Sequence, residues 1–396
     1  MKELSRIAEA VQASTTLAID AMFKQMKADG IDVIGFGAGE PDFSTPENIK
    51  AAGIAAIEHN QTKYTPAAGI MELRRAVCTR LKSDFELDYA PSQIVAASGA
   101  KHNLFAALQA LVNPGDEIII PAPYWVSYYE LAKMVGAVPV IIETTEAEGF
   151  KLTAEKLAAA ITPKTKAMLF NNPSNPTGMV YEKSELEALA AVCVEHEVYV
   201  IADEIYCNLV YDGLKFTSFA SLSPAVKELT ILINGVSKSY AMTGWRIGYS
   251  ASTEKIAKVM ANYLSHSTSA PSSISQWAAV EALSGSQETV ESMRQEFERR
   301  RNYFVERMNQ IDGVSCICPQ GAFYVMMNLE KLKGRSFGGI QINGSDDFAK
   351  AFLEQGLVAV VPCSGFGADN FVRWSYATSM ENIKAGLDRL EVFLGR

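Results

Sequence analysis

The sequence predicts an α/β protein: a mostly parallel central sheet sandwiched by helices, with a smaller α/β lobe formed by the N- and C-terminal segments. Two observations lead there. From about Ser92 onward helical and strand patterns alternate, and the strands are short continuous apolar runs, as expected of strands covered on both faces. Past residue 285 that rhythm gives way to a long charged segment and shorter strands. At 396 residues the chain exceeds a comfortable single core. The change of pattern divides it into an N-terminal segment (1–43) packing on a small lobe, a large domain (44–285) and a small C-terminal domain (286–396).

Taken in order, GAKHNLFAALQALV reads as a helix, DEIIIPAP as a strand, SYYELAKMVG as a helix and VPVIIET as a strand. TKAMLFNNP continues as a strand, KSELEALAAVCVEHE as an amphipathic helix, and VYVIADEIY and LTILINGVS as buried strands. Such alternation implies βαβ units around a sheet whose ligands gather beyond the carboxyl ends of the strands. QETVESMRQEFERRRNYFVERMNQI is a long charged helix, followed by the strands GAFYVMMNL and VAVVP.

Composition removes several function classes. Hydrophobic residues at 48% and charged residues at 20% exclude a disordered chain. The formal charge of −9, without basic blocks, suits neither a nucleic-acid backbone nor an anionic membrane. The opening MKELSRIAEAVQ lacks a signal-type apolar core, and no apolar run approaches membrane-spanning length, so the expectation is a cytoplasmic protein. Six scattered cysteines and four unclustered histidines read as reduced thiols and argue against a metal centre; Cys316 and Cys318 form only a C-x-C without nearby histidine.

Five segments carry chemistry. GFGAGEPDF (35–43) repeats glycine every second residue but misses the spacing of a dinucleotide fingerprint. It offers a strip without side chains beside which a small ligand can reach the N–H of Gly39, and equally suits a tight turn. In ASGAKHNLFAAL, Ser98 caps a helix whose small first residues Gly99 and Ala100 leave its N–H groups open to a phosphate, although many helices begin this way without a ligand. NNPSNPTG holds Asn175 at a strand end by proline turns, which turn chemistry alone also explains. In VIADEIY, Asp203 and Glu204 interrupt a buried strand, and a buried carboxylate needs a cation or a donor. Lys238 follows the strand LTILINGV, eight residues before Arg246. A surface lysine is the ordinary reading. An amine partly desolvated beside other cations is instead a nucleophile able to form a Schiff base with an aldehyde. A phosphate-ready helix start, a buried acid and a strand-end lysine together are what pyridoxal 5′-phosphate requires.

With these residues in place, NPSNPTG, DEIY and SKSYAMTGWRIGY, supported by GEPDF, KYTPAAG, PYWVSY and FVRWSYA, resemble the fold type I, class I aminotransferases that use pyridoxal phosphate, especially the bacterial aspartate aminotransferases. The resemblance covers nearly the whole chain. It implies that Lys238 holds the cofactor as a Schiff base and shuttles the proton, and that Asp203 pairs with the pyridine nitrogen. It implies that Tyr206 and Asn175 reach the ring oxygen, that Trp125 stacks on the ring beside the substrate, and that Ser98, Gly99, Ala100, Ser237 and Arg246 surround the phosphate. Tyr64 reaches the phosphate from a second subunit, so a homodimer with shared active sites is implied.

For the substrate the resemblance implies a bidentate fork from Arg373 to the α-carboxylate, helped by Asn175 and Gly39. Lys101, with Thr16 nearby, takes the distal carboxylate, and engagement of Arg373 draws the lobes together. The implied reaction is L-aspartate with 2-oxoglutarate giving oxaloacetate and L-glutamate by a ping-pong route. An enzyme of the same family with alanine, aromatic or prephenate substrates is the alternative, ahead of a β-lyase. A non-catalytic regulator on this fold would have lost Lys238 or gained a DNA-binding module, and neither is seen. One departure stands out: Gly235 occupies the position three before the lysine where many relatives carry a phosphate-binding hydroxyl, so one donor is missing there unless Ser237 or Ser239 substitutes, which bears on cofactor affinity and leaves the reaction type as implied.

Overall fold

The computed structural model describes residues 3–11 and 15–395, with the backbone alone described from 15 to 20. Seven strands form the central sheet in the order Ile94–Ala97, Gly248–Ala251, Thr230–Gly235, Tyr199–Asp203, Thr165–Asn171, Glu117–Ala122 and Val138–Glu143. Six run the same way, and Gly248–Ala251 runs against its two neighbours. Between Thr230–Gly235 and that reversed strand lies a single short 3-10 turn, Thr243–Trp245, so the chain turns back instead of crossing over through a helix.

The apolar runs have the expected cause. Along Glu117–Ala122, Ile118 and Ile120 join Leu169 and Ile201 in one buried cluster, while Ile119 joins Met168, Phe170 and Val200 in another. Successive side chains thus enter opposite helix layers, and each contributes about 1.5–3 kcal/mol by burial. The helix Ala100–Leu111 covers the first face with Leu104 and Leu108; Lys183–Glu195 covers the second with Leu186 and Leu189.

A second core assembles around Trp374. The antiparallel strands Val361–Pro362, Phe371–Ser375 and Tyr324–Asn328 pack against the helix Glu288–Met308, whose Phe304 ring lies 5.5 Å from that of Trp374. The helix pairs many of its charges along its own surface, such as Arg299 with Glu296 at 2.7 Å, while Arg300 and Arg301 are buried. The segment VAVVP is not one strand. Val358–Ala359 pairs in parallel with Ile34–Gly35, whereas Val361–Pro362 joins the three-stranded sheet, so the chain bends at Val360 to serve two sheets. Phe36 extends the first pairing by donating its N–H to the Ala359 carbonyl at 2.8 Å, while its own carbonyl accepts from Ser375 N at 2.8 Å and its ring lies 4.7 Å from Trp374. This anchors the start of the 37–43 strip beside the carboxyl ends of the central strands. Among the described residues no helix is long and apolar enough to cross a membrane, and no cluster of His, Cys, Asp or Glu could hold a metal ion.

Candidate active site

Parallel strands deliver the polar residues to one edge. Asn171 and Asp203 end neighbouring strands as register partners; Ser237 and Lys238 follow the end of the next strand at Gly235, and Trp125 follows Ala122. Between them and the Trp374 lobe opens a cleft of about 580 Å³, a size suited to a cofactor with a small substrate. It lies where ligands gather in such sheets.

Lys238 stands half-buried in this cleft, and its Nζ donates to the carbonyl of Gly39. Burial lowers its pKa from 10.5 to about 8; Glu40 and Asp203 oppose the shift while Arg373 and Arg246 add to it. An amine in that range is available uncharged near neutral pH, as a carbonyl nucleophile and a proton carrier must be. Asp203 is 4% exposed. Burial raises its pKa to about 6 against the hydrogen bond from Tyr128, the backbone N–H of Ile205 and the charge of Lys238. Tyr128 Oη donates to Oδ2 at 2.7 Å and Ile205 N to Oδ1 at 3.3 Å. The carboxylate is therefore fixed in direction and, at neutral pH, mostly ionised.

A second group of contacts forms an anion-ready end. The helix Ala100–Leu111 is capped by Gly99, with φ +87°, and no side chain caps it. Ser98 is thus not the cap expected from the sequence: the left-handed turn at Gly99 sets the helix start one residue later. A Cβ at Gly99 would overlap the guanidinium of Arg246, and one at Gly248 would overlap the N–H of Ala100. Gly99 therefore lets the Arg246 guanidinium approach the helix start, and Gly248 lets its strand pack against that start; an arginine beside unpaired helix N–H groups favours a phosphate. Arg246 is held there by the carbonyls of Thr243 at 2.9 Å and Ser98 at 3.3 Å.

The opposite wall is built by Arg373. It is 2% exposed, donates to Asn175 Oδ1 at 2.9 Å and to the Gly37 carbonyl at 3.0 Å, and lies over the Tyr324 ring at 4.4 Å. Its Nε has no partner, although a buried guanidinium left short of acceptors is costly. The Nη atoms, bound to neutral acceptors only, form the fork that a carboxylate in the cleft suits. Tyr324 in turn shares a 2.9 Å hydrogen bond with Tyr206. At the mouth Lys101 lies over the Trp125 ring at 4.7 Å, its pKa lowered by burial and by Arg246.

Of the residues singled out from the sequence, Gly39, Ala100, Lys101, Trp125, Asn175, Asp203, Tyr206, Ser237, Lys238, Arg246 and Arg373 all line this one cleft. Ser98 and Gly99 stand just behind its wall, touching Arg246. Tyr64 does not line it and is fully exposed, and the side chain of Thr16 lies outside the described residues. Sequence reasoning passed over Tyr128, Tyr324 and Glu40. Each sits inside a quoted segment, PYWVSY, GAFYVMMNL or GEPDF, so the signal was present without its partner.

Over residues 31–390 the sequence matches the family described as aminotransferase class I and II. The chain belongs to that family. It is 49% identical over 394 residues to an aspartate aminotransferase of Geobacillus stearothermophilus, covering 100% of this chain and 99% of that protein. It is 46% identical to an aspartate/prephenate aminotransferase of Cereibacter sphaeroides, covering 99% of each. Among solved structures, an aspartate aminotransferase from Rhizobium meliloti superposes with a TM-score of 0.96 at 42% identity, covering 100% of both chains. The chain therefore has the fold type I aminotransferase fold and is an enzyme of this kind. Pyridoxal 5′-phosphate is the family's cofactor. The cleft fits it: an anion-ready helix start with Arg246, a fixed buried acid at Asp203, a low-pKa amine at Lys238 and an aromatic wall at Trp125.

Proposed function

We propose that this aminotransferase carries the amino group of L-aspartate to 2-oxoglutarate, releasing oxaloacetate and L-glutamate in a ping-pong exchange. The observation that carries this reading is the buried guanidinium of Arg373, held by the neutral acceptors Asn175 Oδ1 and the Gly37 carbonyl, in the same cleft as the low-pKa amine of Lys238. A cation for a carboxylate and a proton carrier beside it are what an α-amino acid needs. Lys101, at the mouth, supplies a second cation for a distal carboxylate.

Pyridoxal 5′-phosphate supplies an aldehyde for the amino group and a ring that accepts the electron pair left at Cα. The protein does the rest. Arg246, Ser237, Ser98 and the N–H groups at Gly99 and Ala100 would hold its phosphate. Asp203 would pair with its ring nitrogen, Tyr206 and Asn175 would hydrogen-bond its ring oxygen, and Trp125 would lie against the ring. Arg373 would orient the substrate α-carboxylate with Asn175 and Gly39, and Lys238 Nζ would take the proton from substrate Cα and give it up again within the cleft. The two lobes, 44–285 and 286–396 with 1–43, enclose the substrate and exclude water.

Full exposure of Tyr64 supports a homodimer in which that tyrosine serves the partner's phosphate site. Six free cysteines, one of them exposed, support a reducing, cytoplasmic setting. A second reading, in which prephenate is also a substrate, is favoured by the 46% identical relative with both substrates in its name. Single-turnover spectra with aspartate, glutamate, alanine, phenylalanine and prephenate test the proposal. Aspartate and glutamate are expected to convert the cofactor band fastest; a faster response to alanine or phenylalanine would reject the aspartate assignment.

A further inference from the structure

The strip from Gly37 to Gly39 belongs to no helix or strand, yet it forms part of the cleft wall and is meant to meet a carboxylate through the N–H of Gly39. Two of its bonds are made by the cations of the reaction itself. Arg373 Nη2 donates to the Gly37 carbonyl at 3.0 Å, and Lys238 Nζ donates to the Gly39 carbonyl. Both donors have other work in catalysis, Arg373 on the substrate carboxylate and Lys238 on the cofactor aldehyde. A strip held by these bonds alone would loosen as the cofactor takes Lys238 and the substrate takes Arg373.

Two carboxylates immediately beyond the strip are tied elsewhere. Glu40 accepts from Thr243 Oγ1 at 2.7 Å, and Thr243 also offers its carbonyl to Arg246. Asp42 accepts from Arg300 Nη1 at 2.7 Å. Arg300 is a 6%-exposed residue on the helix Glu288–Met308, held by Glu296 at 2.8 Å and lying 5.1 Å from the ring of Phe43. A little further on, Thr45 Oγ1 donates to the Ala241 carbonyl at 2.7 Å and accepts from Trp245 Nε1 at 3.0 Å. One acid therefore grips the large sheet's side of the cleft beside the phosphate end, and the next grips the lobe that carries Arg373.

We infer that Glu40 and Asp42 are positioning residues that clasp the Gly37–Gly39 strip between the two lobes, keeping Gly39 aligned with Arg373 when the substrate displaces the strip's other bonds. The inference rests on the reading of Arg373 as the carboxylate receptor. Neither acid touches the reacting atoms. Their clasp acts on how well carboxylates bind; Glu40 in addition raises the Lys238 pKa by its charge, a charge that Asp42→Ala and Thr243→Val leave in place.

The test uses the cofactor-loaded enzyme and two readouts: steady-state KM and kcat with aspartate, and the dissociation constant of maleate, a non-reacting dicarboxylate, followed through the visible cofactor band. Glu40→Ala and Asp42→Ala are expected to raise KM and the maleate constant three- to tenfold, with kcat within twofold for Asp42→Ala and for Thr243→Val, which keep the Glu40 charge beside Lys238. Glu40→Gln and Asp42→Asn, which keep an acceptor oxygen, are expected to recover most of the loss. Thr243→Val removes the Glu40 contact from the other side and is expected to match Glu40→Ala, which keeps the test decisive if an alanine variant folds poorly. Variants within twofold of the parent in both readouts, or a fall in kcat at constant KM, overturn the clasp. Arg373→Lys is measured alongside: if it too leaves maleate binding unchanged, the carboxylate reading beneath the clasp fails as well, whereas its weakening beside unaffected Glu40 and Asp42 variants rejects the clasp alone.

Discussion

The hydroxyl of Tyr128 donates a 2.7 Å hydrogen bond to Oδ2 of Asp203, and both side chains are buried. Tyr128 comes from the first turns of the helix Val126–Met134 and Asp203 from a strand end 75 residues later. Burial alone would push the acid toward neutrality; this bond and the N–H of Ile205 hold it as a carboxylate facing the cleft.

Tyr128→Phe keeps the ring and deletes the donor. Because the bond stabilises the charged form, its loss raises the pKa of Asp203 above its present value of about 6. A hydrogen bond to a charged group is worth about 1.5–3 kcal/mol, so the rise is about one to two units. The acid limb of cofactor association with the apoenzyme is expected to move to higher pH by that amount. An unmoved limb would show that Tyr128 does not govern the charge of Asp203.

Gly99→Ala places a Cβ into the guanidinium of Arg246 at a residue with φ +87°. The expected result is a dissociation constant for pyridoxal 5′-phosphate at least about tenfold higher, a cost of about 1.4 kcal/mol, measured by titrating apoenzyme. A variant that binds cofactor normally would remove the phosphate site from this helix start.

Arg373→Lys replaces a planar fork by a point charge in a site walled by Tyr324 and Phe366. It is expected to lower kcat/KM for aspartate and 2-oxoglutarate together by about two orders of magnitude, corresponding to about 2–3 kcal/mol. Lys101→Ala is expected to spare monocarboxylate substrates and weaken the dicarboxylates. Equal losses for alanine and aspartate in the Lys101 variant would remove the distal-carboxylate role.

Glu204 faces away from the cleft. Its Oε1 accepts from Ser218 Oγ at 3.0 Å and Phe219 N at 2.8 Å, while Oε2 has no partner. Burial raises its pKa from 4.5 to about 8. Between those values the folded chain keeps a proton that the unfolded chain releases, so stability falls as pH rises through the window. Asp203 acts in the same sense only up to about 6, and Lys238, lowered to about 8, acts in the opposite sense only above that pH. From about pH 6.5 to 8 the apoenzyme is therefore expected to lose about 2 kcal/mol, at about 1.4 kcal/mol per unit. Glu204→Gln cannot titrate and is expected to flatten this slope; an equally steep slope in the variant would assign it to another group.

Five strands of the central sheet were legible because each carries its own evidence, an apolar run flanked by turn residues; the four-residue strands Ile94–Ala97 and Gly248–Ala251 offer no such run and were not read. Lys238 and Asp203 could be read for the same reason, each being a polar residue at the end of such a run. What escaped depends on distant partners. Nothing local in SYYELAKMVG says that Tyr128 rather than Tyr129 reaches Asp203, and Tyr324 meets Tyr206 across 118 residues. The cap at Gly99 escaped because serine is the better capping residue by composition, while the observed turn needs a positive φ. VAVVP reads as one strand because all of it is buried, and only the pairing with two different sheets separates its halves.

The central claim is a covalent bond between the ε-nitrogen of Lys238 and the cofactor aldehyde, made possible by an amine whose pKa is lowered to about 8. Borohydride reduction of the cofactor-loaded enzyme, followed by peptide mass mapping, tests it directly. The account predicts a stoichiometric reduced adduct on the peptide containing Lys238 and on no other. An adduct on a different lysine, or none, would contradict it.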